Sequence, residues 1–430
     1  MSSFRLPKAL AALPALMAAV SLPAVVPAVA AQSTTAKSTL AAHLSHELAI
    51  AGPQSGAYVY DLSTQAPLFA QRADTARPPA SVEKLYTATA ALELMGPSAT
   101  LDTTVLGSGR LGEDGRWEGS LYLRGGGDPT FGSASFLAGH YGGQGATVSA
   151  LAAQLVKEDG IRSVTGSVSG DESYFDSLRG EPASGYRFDP DLEGNLSALA
   201  FNRGETGSER GAHAPAAYAA RQLRAALRAD GVMVHPPSRG AGGVGVASAP
   251  ADATVLATAS SPTLADLLAV TLAPSDNFLA ETLLKDLGAR FGAGGTTAAG
   301  AAVVRRTIAH LHIHPRTILD GSGLSHSDAT SPRQVVALLS ALAPTPLGTT
   351  LRNDLAVAGR SGTLKTRMRR TAASGRCQAK TGTLIGVSNL AGYCKAQGGD
   401  ILAFALFTDG IETGKAHTIQ DNMTITIARY

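Results

Sequence analysis

Ser81-Val82-Glu83-Lys84 sets a hydroxyl and an amine three residues apart. On a helix that spacing puts both groups on one face, one turn apart. An alcohol is nearly inert at neutral pH until a base removes its proton. A lysine can be that base only where desolvation or neighbouring cations lower its pKa. A helix N-terminus would add partial positive charge beside the nucleophile. Alone, the pattern is far more often that of a capping serine followed by a solvated lysine. Two later groups change the balance: Ser275-Asp276-Asn277, after Pro274 at the mouth of a predicted helix, and Lys380-Thr381-Gly382-Thr383 in a strand-like run. Ser275 can relay a proton between Lys84 and a leaving amine, and the Asn277 amide can hold a peptide group with its acceptor and donors. Lys380 and the hydroxyls of Thr381 and Thr383 suit a terminal carboxylate. Gly382 has no side chain to keep a substrate off the strand. The backbone N–H groups of Ser81 and Thr383 would form an oxyanion hole.

Ser-x-x-Lys, Ser-Asp-Asn and Lys-Thr-Gly in that order are the signature set of β-lactamases and penicillin-binding proteins. Five wider stretches carry a closer resemblance: Pro79 to Leu85, Gly127-Asp128-Pro129-Thr130, Asp320-Gly321-Ser322-Gly323-Leu324-Ser325, Ser361-Gly362-Thr363-Leu364, and Ala379 to Leu384 with Leu390 to Tyr393. Together they look like the D-alanyl-D-alanine carboxypeptidase/endopeptidase family, the class C low-molecular-mass penicillin-binding proteins. That family is known for a large insertion between its first two motifs, here 194 residues apart (81 to 275). The chain departs from the common pattern at His326 and Asp328, where Arg and Asn are usual, and at Ser361, where an acidic residue is usual.

The resemblance implies a mixed α/β (α+β) architecture: a transpeptidase/β-lactamase-like domain with an antiparallel sheet between helical clusters, plus β-rich insertions. It also implies a serine-type D-Ala-D-Ala carboxypeptidase working through an acyl-enzyme on Ser81. Its partners would be peptidoglycan peptides ending in D-Ala-D-Ala, with β-lactams as covalent inhibitors and no cofactor or metal. A β-lactamase would need a positioned deacylation base, and Glu281 lies on the Ser275 helix rather than in a recognisable deacylation loop. A non-catalytic wall-binding protein would not need Ser81, Lys84, Ser275 and Lys380 together.

The elements that must position these groups are legible in outline. Residues 56–70 alternate and turn as a β-hairpin. Ser81 to Met95 repeats apolar residues at spacings of three and four and stops at Gly96-Pro97. A second helix is expected over Phe278–Leu287, others near Ala216–Asp230 and Lys415–Ile427, and strands over 390–394 and 401–407. The texture assigns 32–97 and 256–430 to one discontinuous catalytic domain, and 98–255 to an inserted β-rich region of two subdomains. Pro236 to Pro250 reads as a linker or exposed loop.

Residues 9–31 are uncharged after Arg5 and Lys8, and Ala28-Val29-Ala30 offers a cleavage site, so 1–31 reads as a signal peptide with no membrane anchor retained. The protein would then be exported, to the periplasm or the cell wall. Removing residues 1–30 takes two of the 36 Lys+Arg and none of the 34 Asp+Glu. A balance of 34 against 34 leaves no electrostatic case for nucleic acid. Cys377 and Cys394 are symmetric about Ile385-Gly386, and a tight hairpin there would face them for a disulfide, with two buried thiols as the alternative. Gly240 to Gly245 imitates a dinucleotide-binding glycine pattern, but Pro236-Pro237 stands where a strand should precede it. His310, His312 and His314 would share a face of an exposed strand end rather than bind metal.

Overall fold

The computed structural model describes residues 26–205, 214–235 and 244–430. Most of the segment read as a signal peptide, 1–25, lies outside the described residues, as does most of the dinucleotide-like glycine run.

One six-stranded antiparallel sheet carries the site. Its order is Ala356–Val357, Cys377–Leu384, Val387–Lys395, Ile401–Asp409, Gly56–Asp61 and Ala66–Gln71. The early hairpin therefore pairs with the last strand of the chain. Period-two alternation divides the buried side chains between the two faces. Tyr58, Ala391, Tyr393, Ala403, Ala405 and Phe407 pack against the helices Lys84–Met95, Leu264–Leu272, Asn277–Phe291, Thr297–Ala309 and Pro332–Leu342. Val59, Leu390, Leu402, Phe404 and Leu406 pack against the helices Val26–Ala51 and Thr413–Arg429. The first of these two helices went unread in the sequence. Leu40, Leu44 and Leu48, one per turn and each no more than 2 % exposed, are the signal that would have found it.

A second sheet lies within residues 102–260, in the order Met233–Val234, Ser163–Val164, Arg116–Gly125, Asp102–Leu111 and Thr254–Ser260; Val168–Asp171 bridges Arg116–Gly125 and Val244–Val246. It is not all-antiparallel. The pairings of Arg116–Gly125 with Ser163–Val164 and Val168–Asp171 are parallel, and such pairs need crossover connections. The helices Val148–Lys157 and Pro215–Ala229 supply them and cover one face of the sheet. The stretch expected to be a linker thus contributes Val244–Val246 as a strand beside Val168–Gly170. No single helix among the described residues is long and apolar enough to cross a membrane.

Two smaller expectations resolve. Cys377 pairs directly with Cys394 across the hairpin, and the two form a disulfide. The three histidines lie on no strand: His310 caps the helix Thr297–Ala309, and His312, with φ 60°, turns the chain beyond it. All three are exposed.

Candidate active site

The helix that carries Ser81 and Lys84 begins as a 3-10 turn, Ala80–Glu83, and becomes α-helical at Lys84. The turn is pinned from outside. Arg77 and Thr330 exchange backbone hydrogen bonds, and Asn389 Nδ2 donates to the Pro78 carbonyl at 2.8 Å. Lys84 is fully buried, and its Nζ lies 3.0 Å from Ser81 Oγ, 2.6 Å from Asn277 Oδ1 and 2.7 Å from the Ser322 carbonyl. As an ammonium it donates to all three. As a free amine it has two N–H groups and a lone pair, and the two carbonyl oxygens can only accept. Both N–H groups then go to Asn277 and Ser322, and the lone pair is left for the Ser81 hydroxyl. Burial lowers the pKa of Lys84 to about 8, against the opposing charges of Asp320 and Glu281.

The second lysine serves another partner. Lys380 Nζ lies 2.8 Å from Ser275 Oγ and 2.8 Å from the Thr381 carbonyl. Burial, and then the charge of Lys84, hold it well below the usual lysine range. Two pairs result, Ser81 with Lys84 and Ser275 with Lys380.

Ser275 sits in the left-handed region, φ 75°, a conformation that a non-glycine residue holds only where its surroundings over-determine it. They do so here. Asp276 caps the helix by accepting from Leu279 N at 2.9 Å, and its other oxygen pairs with Arg203. Arg203 also donates to Tyr141 Oη at 2.8 Å, and Asn277 Nδ2 donates to the Asp191 carbonyl at 2.7 Å. The Ser-Asp-Asn corner is therefore clamped by residues 141–203, a link that nothing in the motif announces.

Gly362 and Thr363 tie the same corner to the Lys-Thr-Gly strand. Thr363 N donates to the Ala273 carbonyl at 3.0 Å, and the Thr381 hydroxyl donates to that of Thr363 at 2.9 Å. Thr381 is thus engaged within the protein, whereas Thr383 is exposed on the cleft wall. Gly382 meets the Ser81 turn closely. A Cβ there would fall 2.6 Å from the Pro79 carbonyl and 3.1 Å from Ser81 N. The missing side chain lets the strand pack against the turn that bears Ser81. Ala356–Val357 pairs only with Gln378 and Ala379, so this edge of the strand is open from Lys380 onward. Its polar backbone faces the cleft where an oxyanion could be held.

The cleft itself has a volume of about 530 Å³. Ser81, Asn277, Thr383, Asp189, Asp191 and Glu193 are among the residues that line it.

Behind Lys84 lie four carboxyls, Glu83, Glu281, Asp320 and Asp328, each 0 % exposed. Both oxygens of Glu83 lack a hydrogen-bond partner, and burial pushes its pKa well up, with Asp320 and Glu281 adding to the shift. Asp328 accepts from Leu319 N at 2.6 Å and neighbours the Asp320 carboxyl. Two carboxyls can join only through a proton. Burial first, and then the charges of Asp320 and Glu83, push Asp328 up to about 11.

A raised carboxyl pKa means that folding takes up a proton between the unfolded pKa near 3.9 and the folded one, so this contribution is lost as pH rises through that window. An asparagine would accept from Leu319 and donate to Asp320 without a proton. Asp328→Asn is therefore expected to raise Tm, and to do so more at pH 8 than at pH 5. The upper bound on the difference is ~4 kcal/mol, and at least ~4 °C should appear in thermal melts. A gain independent of pH would contradict the protonated assignment.

The profile of the D-Ala-D-Ala carboxypeptidase 3 (S13) family matches residues 36–187 and 191–430. A D-alanyl-D-alanine carboxypeptidase of Actinomadura sp. is 31 % identical over 464 residues, covering 89 % of this chain and 82 % of its own. Among solved structures, penicillin-binding protein 4 from Haemophilus influenzae aligns with a TM-score of 0.75 at 20 % identity, over 90 % of this chain and 99 % of its own. A predatory peptidoglycan endopeptidase from Bdellovibrio bacteriovorus aligns with a TM-score of 0.53 at 15 % identity, over 86 % and 92 %. At those identities the structural matches speak for the fold.

Proposed function

Because this chain belongs to the D-Ala-D-Ala carboxypeptidase 3 (S13) family, we propose that it is a serine-type carboxypeptidase that removes the terminal D-alanine of peptidoglycan stem peptides, with Ser81 as its nucleophile. The observation that carries the assignment of roles is the Lys84 amine, whose two carbonyl acceptors leave its lone pair to Ser81.

The geometry supports an acyl-enzyme route. Lys84 takes the Ser81 proton as Oγ attacks the carbonyl carbon of the D-Ala-D-Ala amide. The N–H groups of Ser81 and Thr383 hold the oxyanion. The C–N bond breaks, and the proton that Lys84 took from Ser81 passes by way of Ser275, which Lys380 holds, to the departing D-alanine amine, so that Lys84 is neutral again. Water then attacks the ester on Ser81, Lys84 again accepting a proton, and the shortened peptide leaves with a free carboxylate. Asn277 and Thr383 hold the substrate backbone and terminus, and a terminal carboxylate bound nearby would in turn favour the charged form of Lys380. A β-lactam would enter by the same attack, and a relative in this fold was solved in complex with one.

Against rapid β-lactam turnover stands Glu281. It is 0 % exposed, with one oxygen taken up by backbone N–H groups of a loop. It cannot serve water at the acyl group. Export is supported by the basic, then uncharged, N-terminal 31 residues and by the Cys377–Cys394 disulfide, a bond that persists in oxidising compartments. Residues 98–255 would be the insertion that walls the cleft.

The test is release of free D-alanine from a synthetic stem peptide ending in D-Ala-D-Ala, run beside a cross-linked dimer. D-alanine should appear from the monomer at a rate at least ~10⁶-fold above buffer. Cleavage of the dimer alone would replace the carboxypeptidase by an endopeptidase, and no cleavage of either by folded protein would remove the reading.

A further inference from the structure

One helix sets both carbonyl acceptors of the Lys84 amine. Asn277 opens the helix Asn277–Phe291 and presents Oδ1 to Nζ directly. Glu281, one turn later on the same face, does not reach the lysine. Its Oε1 instead accepts from Gly321 N at 2.8 Å and Ser322 N at 2.7 Å, and the Ser322 carbonyl is the second acceptor, 2.7 Å from Nζ. The rest of that loop is folded on carboxyls in the same way. Asp320 accepts from Gly323 N at 2.7 Å and from Ser325 N at 2.8 Å. Gly323, with φ 81°, lies so close to the nucleophile's turn that a Cβ would fall 1.9 Å from the Ala80 carbonyl. The loop therefore cannot shift without moving either the base or the turn that bears Ser81.

We propose that Glu281 is a positioning residue for the reaction, fixing the Ser322 carbonyl through the Gly321 and Ser322 N–H groups so that the Lys84 amine is aimed at Ser81. This rests on the reading of Lys84 as the base. What the role requires of residue 281 is an acceptor oxygen at full side-chain reach. A negative charge is not required. The second oxygen, Oε2, has no partner, and burial pushes the carboxyl up to about 8, with the Asp320 charge adding to the shift, so a neutral side chain suits the place.

Three variants separate reach from charge. Glu281→Gln keeps the reach and removes the charge, Glu281→Asp keeps the charge and shortens the reach, and Glu281→Met removes the acceptor at similar volume. The readout is the second-order rate of acylation by benzylpenicillin, followed by intact mass. Binding of a D-Ala-D-Ala peptide is measured separately with each substitution in a Ser81→Ala background. Glu281→Gln should acylate within about threefold of the parent, Glu281→Asp at least 10-fold slower and Glu281→Met about 100-fold slower, while peptide binding stays within about threefold throughout. Should Glu281→Met fail to fold, the two polar variants decide alone. Parental rates in all folded variants would overturn the proposal, and so would a slow Glu281→Gln beside a fast Glu281→Asp, which would make charge the operative property. If Lys84→Met itself acylates normally, the reading of the base fails first. If that variant is inert while the Glu281 series is unaffected, the positioning role alone fails.

Discussion

Replacing Lys84 by Met is expected to lower the rate of acylation by benzylpenicillin roughly 10³-fold, within the range that loss of a general base produces, while the protein stays folded. Met occupies a similar volume, and the substitution relieves the protein of burying an amine whose residue is 0 % exposed. Against that gain, Asn277 Oδ1 and the Ser322 carbonyl each lose a donor. The two effects oppose one another, so Tm should move by only a few degrees. The parent's rate should also depend on pH in a fixed sense. A lysine is a base only when neutral, and burial lowers this one to about 8. Acylation should therefore climb as pH rises toward 8 and level beyond it. Stopped mixing followed by mass analysis at a series of pH values measures both effects. A Lys84→Met variant within threefold of the parent would transfer the role of base to another group, with Lys380 next in line.

The parts of the site that chemistry demands as residue types were legible in the sequence. Ser81, Lys84, Ser275, Asn277 and Lys380 converge because a nucleophile, a base and their hydrogen-bonding partners have few substitutes. The helices that carry them follow from apolar spacing, and the register of Cys377 with Cys394 follows from symmetry about a tight turn. Much of what orients these groups is backbone, and backbone leaves no mark in a sequence. The Ser322 carbonyl that holds Lys84 could be any residue's carbonyl, so the Asp320 to Ser325 stretch stood out only by resemblance. Glu281 was weighed as a base for water, and its actual partners are two N–H groups 40 and 41 residues away. The packing of Gly382 on the Ser81 turn was hidden as well, because which face of its strand meets that turn cannot be read before the fold is known. Arg203 reaches Asp276 across 73 residues of chain, beyond any periodicity. The parallel pairing of Val168–Asp171 was likewise hidden, since a four-residue strand reads alike in either sense.

Ser81→Ala is expected to abolish acylation altogether. No other hydroxyl stands at 3.0 Å from Lys84 Nζ among the described residues, and Ser275 is held by the other lysine. The substitution removes one oxygen from a half-buried position, so stability should change by less than ~1 kcal/mol, and a D-Ala-D-Ala peptide should still bind. The direct measurement is intact mass after incubation with benzylpenicillin, with parent and Ser81→Ala followed in parallel over time. The parent should gain the full mass of the drug and keep it for many minutes, with the label on the peptide containing Ser81, while the variant should gain nothing. An adduct of the same mass on Ser81→Ala, or drug turned over by the parent without any accumulating adduct, would contradict Ser81 as the nucleophile of a slowly deacylating carboxypeptidase.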